Sequence, residues 1–147
     1  MHSTRLDLFD NSDFYPGSTL KRLLWALLSG LFFQNWIPWP SQLKSTLLRI
    51  FGAQIGEGLI LKPRVTIKYP WKLRIRDHVW IGENVWIDNL AEISIGSHVC
   101  ISQGALLLCG NHDFKKSTFD LITRPIDLED GVWIGAKCVV GPGVTCQ

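Results

Sequence analysis

No stretch of this 147-residue sequence is apolar for the ~20 residues that a bilayer-spanning helix needs. The longest candidate, 23–33, is eleven residues and contains Gly30. Charge of one sign is scarce as well. Lys and Arg number 15 against 13 Asp and Glu, a net charge of +2, which removes the electrostatic basis for binding nucleic acid. The four cysteines, Cys100, Cys109, Cys138 and Cys146, form no C-x-x-C pair and follow no cleavable signal peptide. That argues against a disulfide framework and predicts a reduced, cytoplasmic setting. With only 19% charged and 46% hydrophobic residues the chain is not a disordered tail, and its length suits one domain with a core of its own. Tryptophan, by contrast, is plentiful. Seven in so short a chain must find a core or a partner.

The first seventeen residues are polar and turn-rich, broken by Asn11, Ser12, Asp13, Pro16 and Gly17. Ser18 and Thr19 then cap a predicted helix over 20–33. This helix can pack on the domain or a neighbouring subunit. It can also make shallow, peripheral membrane contact through 20–39, because Lys21 and Arg22 flank the apolar run and Trp36 and Trp39 follow it. A second short helix is predicted over 41–51, with Leu43, Leu47, Leu48 and Phe51 on one side and Gly52 as its stop.

From residue 54 onward the spacing is neither helical nor simply alternating. Ile55, Leu61 and Ile67 recur every six residues; so do Ile75, Ile81 and Ile87, then Ile95, Ile101 and Leu107, then Leu128, Ile134 and Val140. A second small or aliphatic residue sits four places after most of them. Glycine follows at Gly56, Gly82, Gly96, Gly135 and Gly141, where it is the residue best able to turn a corner. Three such units close a triangular coil of eighteen residues, and coils stack at about 4.8 Å, so the fold class is mainly β, a parallel β-helix of short repeats. In this register Cys138 and Cys146 point inward as small core fillers. The domain reading is therefore an N-terminal start with two short helices over 1–53 and a β-helix over 54–147. The last coil ends uncapped at Gln147, to be covered by another subunit or lost from a longer polypeptide.

The interval from Ile95 to Leu128 exceeds one coil by fifteen residues, which predicts a loop protruding over 108–127. His112 stands at its start between Asn111 and Asp113. It is placed to be exposed, to be oriented by a carboxylate, and to act as a general base; a plain surface histidine is the alternative. Cys109 is near enough to suggest covalent catalysis instead. His78 and His98 should stack on successive coils, but no third imidazole completes a zinc site, since His2 lies in the polar start; no metal is expected.

The six-residue rhythm, together with Gly131-Val-Trp-Ile-Gly-Ala136, the run 140–145 and Asn111-His-Asp113, resembles the hexapeptide-repeat acyltransferases with a left-handed β-helix. Phe51-Gly-Ala53, Pro70-Trp71, the stretches 86–90 and 100–104, Thr118-Phe-Asp-Leu121 and Thr123-Arg-Pro-Ile126 narrow the resemblance to the colanic acid biosynthesis and polysaccharide O-acetyltransferases. The resemblance implies transfer of an acetyl group from acetyl-CoA to a sugar hydroxyl in exopolysaccharide biosynthesis, with a sugar or oligosaccharide acceptor and no nucleic acid. It implies His112 as the catalytic base and Trp133, Gly135 and Ala136 against acetyl-CoA. Asp88, with Asn89 as its neighbour, falls where relatives have an acceptor-contacting Asn, with a different side chain, which implies that this pair binds the acceptor. It further implies a homotrimer with acetyl-CoA between adjacent subunits, while the apolar helix suits a cytoplasmic protein peripheral at the inner membrane face. Relatives continue for about two further coils, so the alternative is a shortened, non-catalytic subunit without a complete CoA site.

Overall fold

In the computed structural model, which describes residues 3–147, the six-residue rhythm winds the chain around three flat faces. The first face is a five-stranded parallel sheet of Gln54–Ile55, Leu73–Ile75, Ile93–Ile95, Ile126–Leu128 and Thr145–Cys146. Ile60–Leu61, Trp80–Ile81, Cys100–Ile101 and Trp133–Ile134 make the second. The third holds Thr66–Ile67, Trp86–Asp88, Leu106–Leu108 and Val139–Val140. Each strand pairs in parallel with the strand one coil on, which stacks the aliphatic positions directly. Ile55, Ile75, Ile95 and Leu128 are in register, as are Leu61, Ile81, Ile101 and Ile134. Ile67, Ile87, Leu107 and Val140 form the third column. All but Ile55 are buried in one core. At roughly 1.5–3 kcal/mol for each buried aliphatic side chain, these columns are the main force holding the coil closed.

Gly56, Gly82 and Gly96 have a different reason from the one the sequence suggests. A Cβ on Gly82 would lie 2.7 Å from the backbone nitrogen of Gln103, so the residue is small because the next coil passes close by. The left-handed backbone falls two residues later, at Gly58, His78 and His98 on one corner and at Arg64, Asn84, Gly104 and Lys137 on the next.

At the third corner each coil carries its extra residues. Pro70–Lys72 makes a short turn there, and the amide of Asn89 clamps Tyr69 beside it, accepting from its N–H at 2.9 Å and donating to its carbonyl at 2.6 Å. The long excursion over 108–127 leaves from the same corner two coils on.

Two helices close one end of the coil. α1 (Thr19–Phe32) starts at Ser18, whose hydroxyl accepts from the Lys21 N–H. α2 (Ser41–Ile50) follows Pro40 and stops at Gly52, whose φ of +99° turns the chain so that the Ala53 N–H donates to the Leu48 carbonyl at 3.0 Å. The first coil has an open edge of carbonyls, and each face receives its own donor. Arg49 Nη2 donates to Ile55 and Gly56, Lys44 Nζ to Leu61 at 3.1 Å and Lys62 at 3.3 Å, and Trp25 Nε1 to Ile67 at 2.8 Å. This corrects the predicted apolar side of α2. Lys44 is fully buried and Leu43 is exposed, because edge carbonyls need a donor more than the core needs another leucine. No described helix is long and apolar enough to cross a membrane.

Cys146 is half-buried in the column above Leu128, but Cys138 is exposed, not a core filler. Its coil has no further coil stacked over that corner among the described residues.

Candidate functional site

The excursion over 108–127 is an antiparallel hairpin of Gly110–His112 and Leu121–Thr123, with His112 opposite Leu121. Beyond it the chain turns back, and the Asp113 N–H donates to the Asp120 carbonyl. Phe119 sits in this turn with φ +52°, a left-handed conformation unusual for a side chain of its size. The consequence is that its carbonyl oxygen reaches His112 Nδ1 at 2.9 Å while its ring stacks parallel on the imidazole, centroids 4.2 Å apart. Phe9 closes the other side, edge-on at 5.5 Å.

His112 is half-buried, and its orienting partner is a backbone carbonyl rather than the carboxylate the sequence suggested. Since a carbonyl only accepts, Nδ1 carries the proton and Nε2 is left as the basic nitrogen. Asp113 takes no part; its carboxylate accepts from the Lys115 N–H. Asp120 pairs with Lys116 at 2.8 Å, which holds its carboxyl below the ordinary carboxylate range.

His112 opens into a cleft of about 560 Å³ at the third corner. Lys68, Tyr69 and Leu90 form its floor, and Phe9, Asn11 and Phe14 from the N-terminal segment form one wall. That segment is tied down by a hydrogen bond from the Arg5 N–H to the Ser117 carbonyl. The polar, turn-rich composition of the start hides this role; Phe9 and Phe14, aromatics set among polar residues, were the available signal.

Asp88 does not line the cleft; it is paired at 2.9 Å with Lys68, which does. Asn89 is fully buried on the backbone of Tyr69. Cys109 is buried too, and burial pushes its thiol above the ordinary range, which disfavours the thiolate that a covalent route needs. His78 and His98 stack at 5.2 Å, and among the described residues no third ligand joins them. His2 lies outside the described residues.

No family model matches the chain. It is similar to the hexapeptide-repeat-containing acetyltransferase VCA0836 of Vibrio cholerae: 28% identical, TM-score 0.74, covering 86% of this chain and 72% of that one. The acetyl-CoA complex of VCA0836 aligns with a TM-score of 0.77 at 25% identity, over 95% of this chain and 78% of that one. WcaF of Escherichia coli (strain K12), named for acetyl transfer in colanic acid biosynthesis, is 37% identical over 136 residues, or 90% of this chain and 72% of that protein. The chain belongs to the hexapeptide-repeat acetyltransferases. Galactoside O-acetyltransferase of the same strain is 28% identical over 112 residues, 72% of this chain and 55% of that protein.

In this hexapeptide-repeat acetyltransferase the residues singled out in the sequence do not all meet within one chain. Trp133, Gly135 and Ala136 stand on the second face and its corner, whereas His112 leaves the third. Trp133 is 75% exposed, with its indole N–H donating to Ser102 Oγ at 2.9 Å. Ala136 is exposed beside it.

Proposed function

We propose that this acetyltransferase moves the acetyl group of acetyl-CoA to a sugar hydroxyl during exopolysaccharide biosynthesis of the colanic acid kind, with His112 as general base. The observation that carries this reading is the His112–Phe119 bond, which commits Nδ1 and leaves Nε2 facing chemistry. In the proposed step Nε2 takes the hydroxyl proton as the sugar oxygen attacks the thioester carbonyl carbon. The tetrahedral intermediate collapses with cleavage of the C–S bond, and the imidazolium returns the proton to the departing CoA thiolate. Backbone N–H groups of a neighbouring coil stabilise the oxyanion.

Around that step we assign Trp133, Gly135 and Ala136 to acetyl-CoA, the indole lying along the acetyl end and the small residues letting the cofactor approach the backbone. Asp88 acts on the acceptor through the Lys68 side of the cleft, and Asn89 supports the corner from within. Because His112 and Trp133 lie on different faces of one chain, a site using both needs two protomers, which supports a homotrimer with sites between subunits. The three stacked parallel sheets support a left-handed β-helix over 54–147, with 1–53 as its cap and 108–127 as the protruding loop. Four free thiols and the use of acetyl-CoA support a cytoplasmic location.

The test is direct. Purified protein is incubated with acetyl-CoA and a panel of neutral and acidic oligosaccharides, and products are read by mass spectrometry and CoA release. An acetyl ester on sugar, matched one-to-one by free CoA, is expected. Acetylation of amines with no sugar ester formed contradicts the proposal.

A further inference from the structure

α1 buries Trp25 and Ser29 against the coil and leaves its other side uncovered. Leu20, Leu23, Leu27 and Leu31, spaced three or four residues apart, fall along one side of the helix and are each more than half exposed. Trp36 and Ile37, just past the end of the helix, are more than half exposed as well. So many solvent-facing aliphatic and indole groups in one place are more than a scatter of single surface residues and mark an interaction site. At fourteen residues the helix is about 21 Å long, too short to span a bilayer.

Charge identifies what this surface fits. Residues 18–68 hold seven basic residues and a single acidic one, Glu57, although the whole chain is nearly balanced. Lys44 and Arg49 are committed to edge carbonyls and Lys68 to Asp88. That leaves Lys21, Arg22, Lys62 and Arg64, and of these Arg64 lies beside the apolar face. The Arg64 guanidinium is 4.5 Å from the Trp36 ring, and the Arg64 N–H donates to the Asn35 carbonyl, which ties that turn to the coil. Lys62 Nζ is 5.4 Å from the Trp80 ring. Neither Arg64 nor Lys62 has an ion-pair partner among the described residues.

We infer that this face docks flat on an anionic lipid bilayer. The α1 leucines enter the acyl boundary, Trp36 sits at headgroup level, and Arg64 and Lys62 meet lipid phosphates. Arg22, on the side of the same helix turned away from the leucines, lines the His112 cleft, so one helix carries both the docking face and a wall of that cleft. The docking does not depend on catalysis, and an inactive but vesicle-binding protein would contradict only the acetyl-transfer reading.

The experiment is flotation of the full chain with phosphatidylglycerol-containing vesicles and with pure phosphatidylcholine vesicles, at low and high salt. Binding to the anionic vesicles is expected to exceed binding to phosphatidylcholine by at least about tenfold and to fall steeply with salt. The Leu27→Glu/Leu31→Glu variant should lose at least about tenfold, with unchanged thermal unfolding. Leu20→Ser/Leu27→Ser, a milder change at exposed positions, should lose less but in the same direction. Lys62→Gln/Arg64→Gln should weaken only the anionic arm. Wild-type protein that does not float overturns the inference, and so do variants that float as well as wild type. It is equally overturned if Leu27→Glu/Leu31→Glu dissociates the assembly in light scattering and leaves flotation intact, since the face would then belong to a second copy.

Discussion

The carbonyl of Phe119 sits 2.9 Å from His112 Nδ1 while the two rings lie parallel, 3° apart. One residue thus sets both the tautomer and the tilt of the imidazole, and it does so from a left-handed turn seven residues on. Phe9 completes the clamp from the N-terminal segment.

This clamp predicts that Phe9→Ala impairs catalysis more than folding. An aromatic pair is worth about 0.5–1.5 kcal/mol, so if the contact aligns the transition state the variant should lose roughly two- to tenfold in kcat, with the acetyl-CoA KM near wild type. Steady-state kinetics beside thermal unfolding will check this. A kcat equal to wild type would mean that Phe9 merely covers the ring.

Lys44 holds the edge of the first coil, so Lys44→Ala should destabilise the fold by about 1–3 kcal/mol, the cost of leaving buried carbonyls unpaired. Burial also lowers the Lys44 pKa. The unfolded chain therefore binds that proton more tightly, and the resulting penalty is fully present below the lowered pKa. It disappears as pH rises toward the ordinary lysine range near 10, so the lysine's contribution favours folding more at alkaline pH. Urea unfolding of both proteins between neutral pH and pH 10 gives the comparison. Equal stability of wild type and variant would remove Lys44 as an edge cap.

The coil was legible because the twelve repeat positions from Ile55 to Val140 are all Ile, Leu or Val, at a spacing that no helix or plain strand produces. Ile81, Ile101 and Ile134 could be placed in one column before any coordinates. His112 was found for a similar reason, since an interruption in a strict repeat stands out. Its neighbours were not. Phe119 acts through its backbone carbonyl, which has no sequence signature, and Phe9 is brought in by a long-range hydrogen bond between Arg5 and Ser117. Leu43 was placed on the buried side of α2 in preference to Lys44 because hydropathy counts a lysine as solvent-seeking and ignores open carbonyls beneath it. Cys138 was placed inside because the register is periodic, whereas burial also requires a coil stacked above.

The cysteines should separate by exposure. Native protein treated with a thiol reagent is expected to label Cys138 quickly and Cys109 only on unfolding. Cys109→Ala should keep turnover within about twofold of wild type, and no acetyl-cysteine should appear by mass spectrometry after incubation with acetyl-CoA. A trapped acetyl group on Cys109 would replace direct transfer with a covalent route.

The central claim is that the Nε2 of His112 moves the proton. It is tested most directly by the acetyl-transfer rate of His112→Ala in protein whose assembly and melting match wild type. General-base assistance is typically worth 10²–10⁴-fold, and a loss of about that size in kcat is the expected result. Turnover within a few-fold of wild type would contradict it.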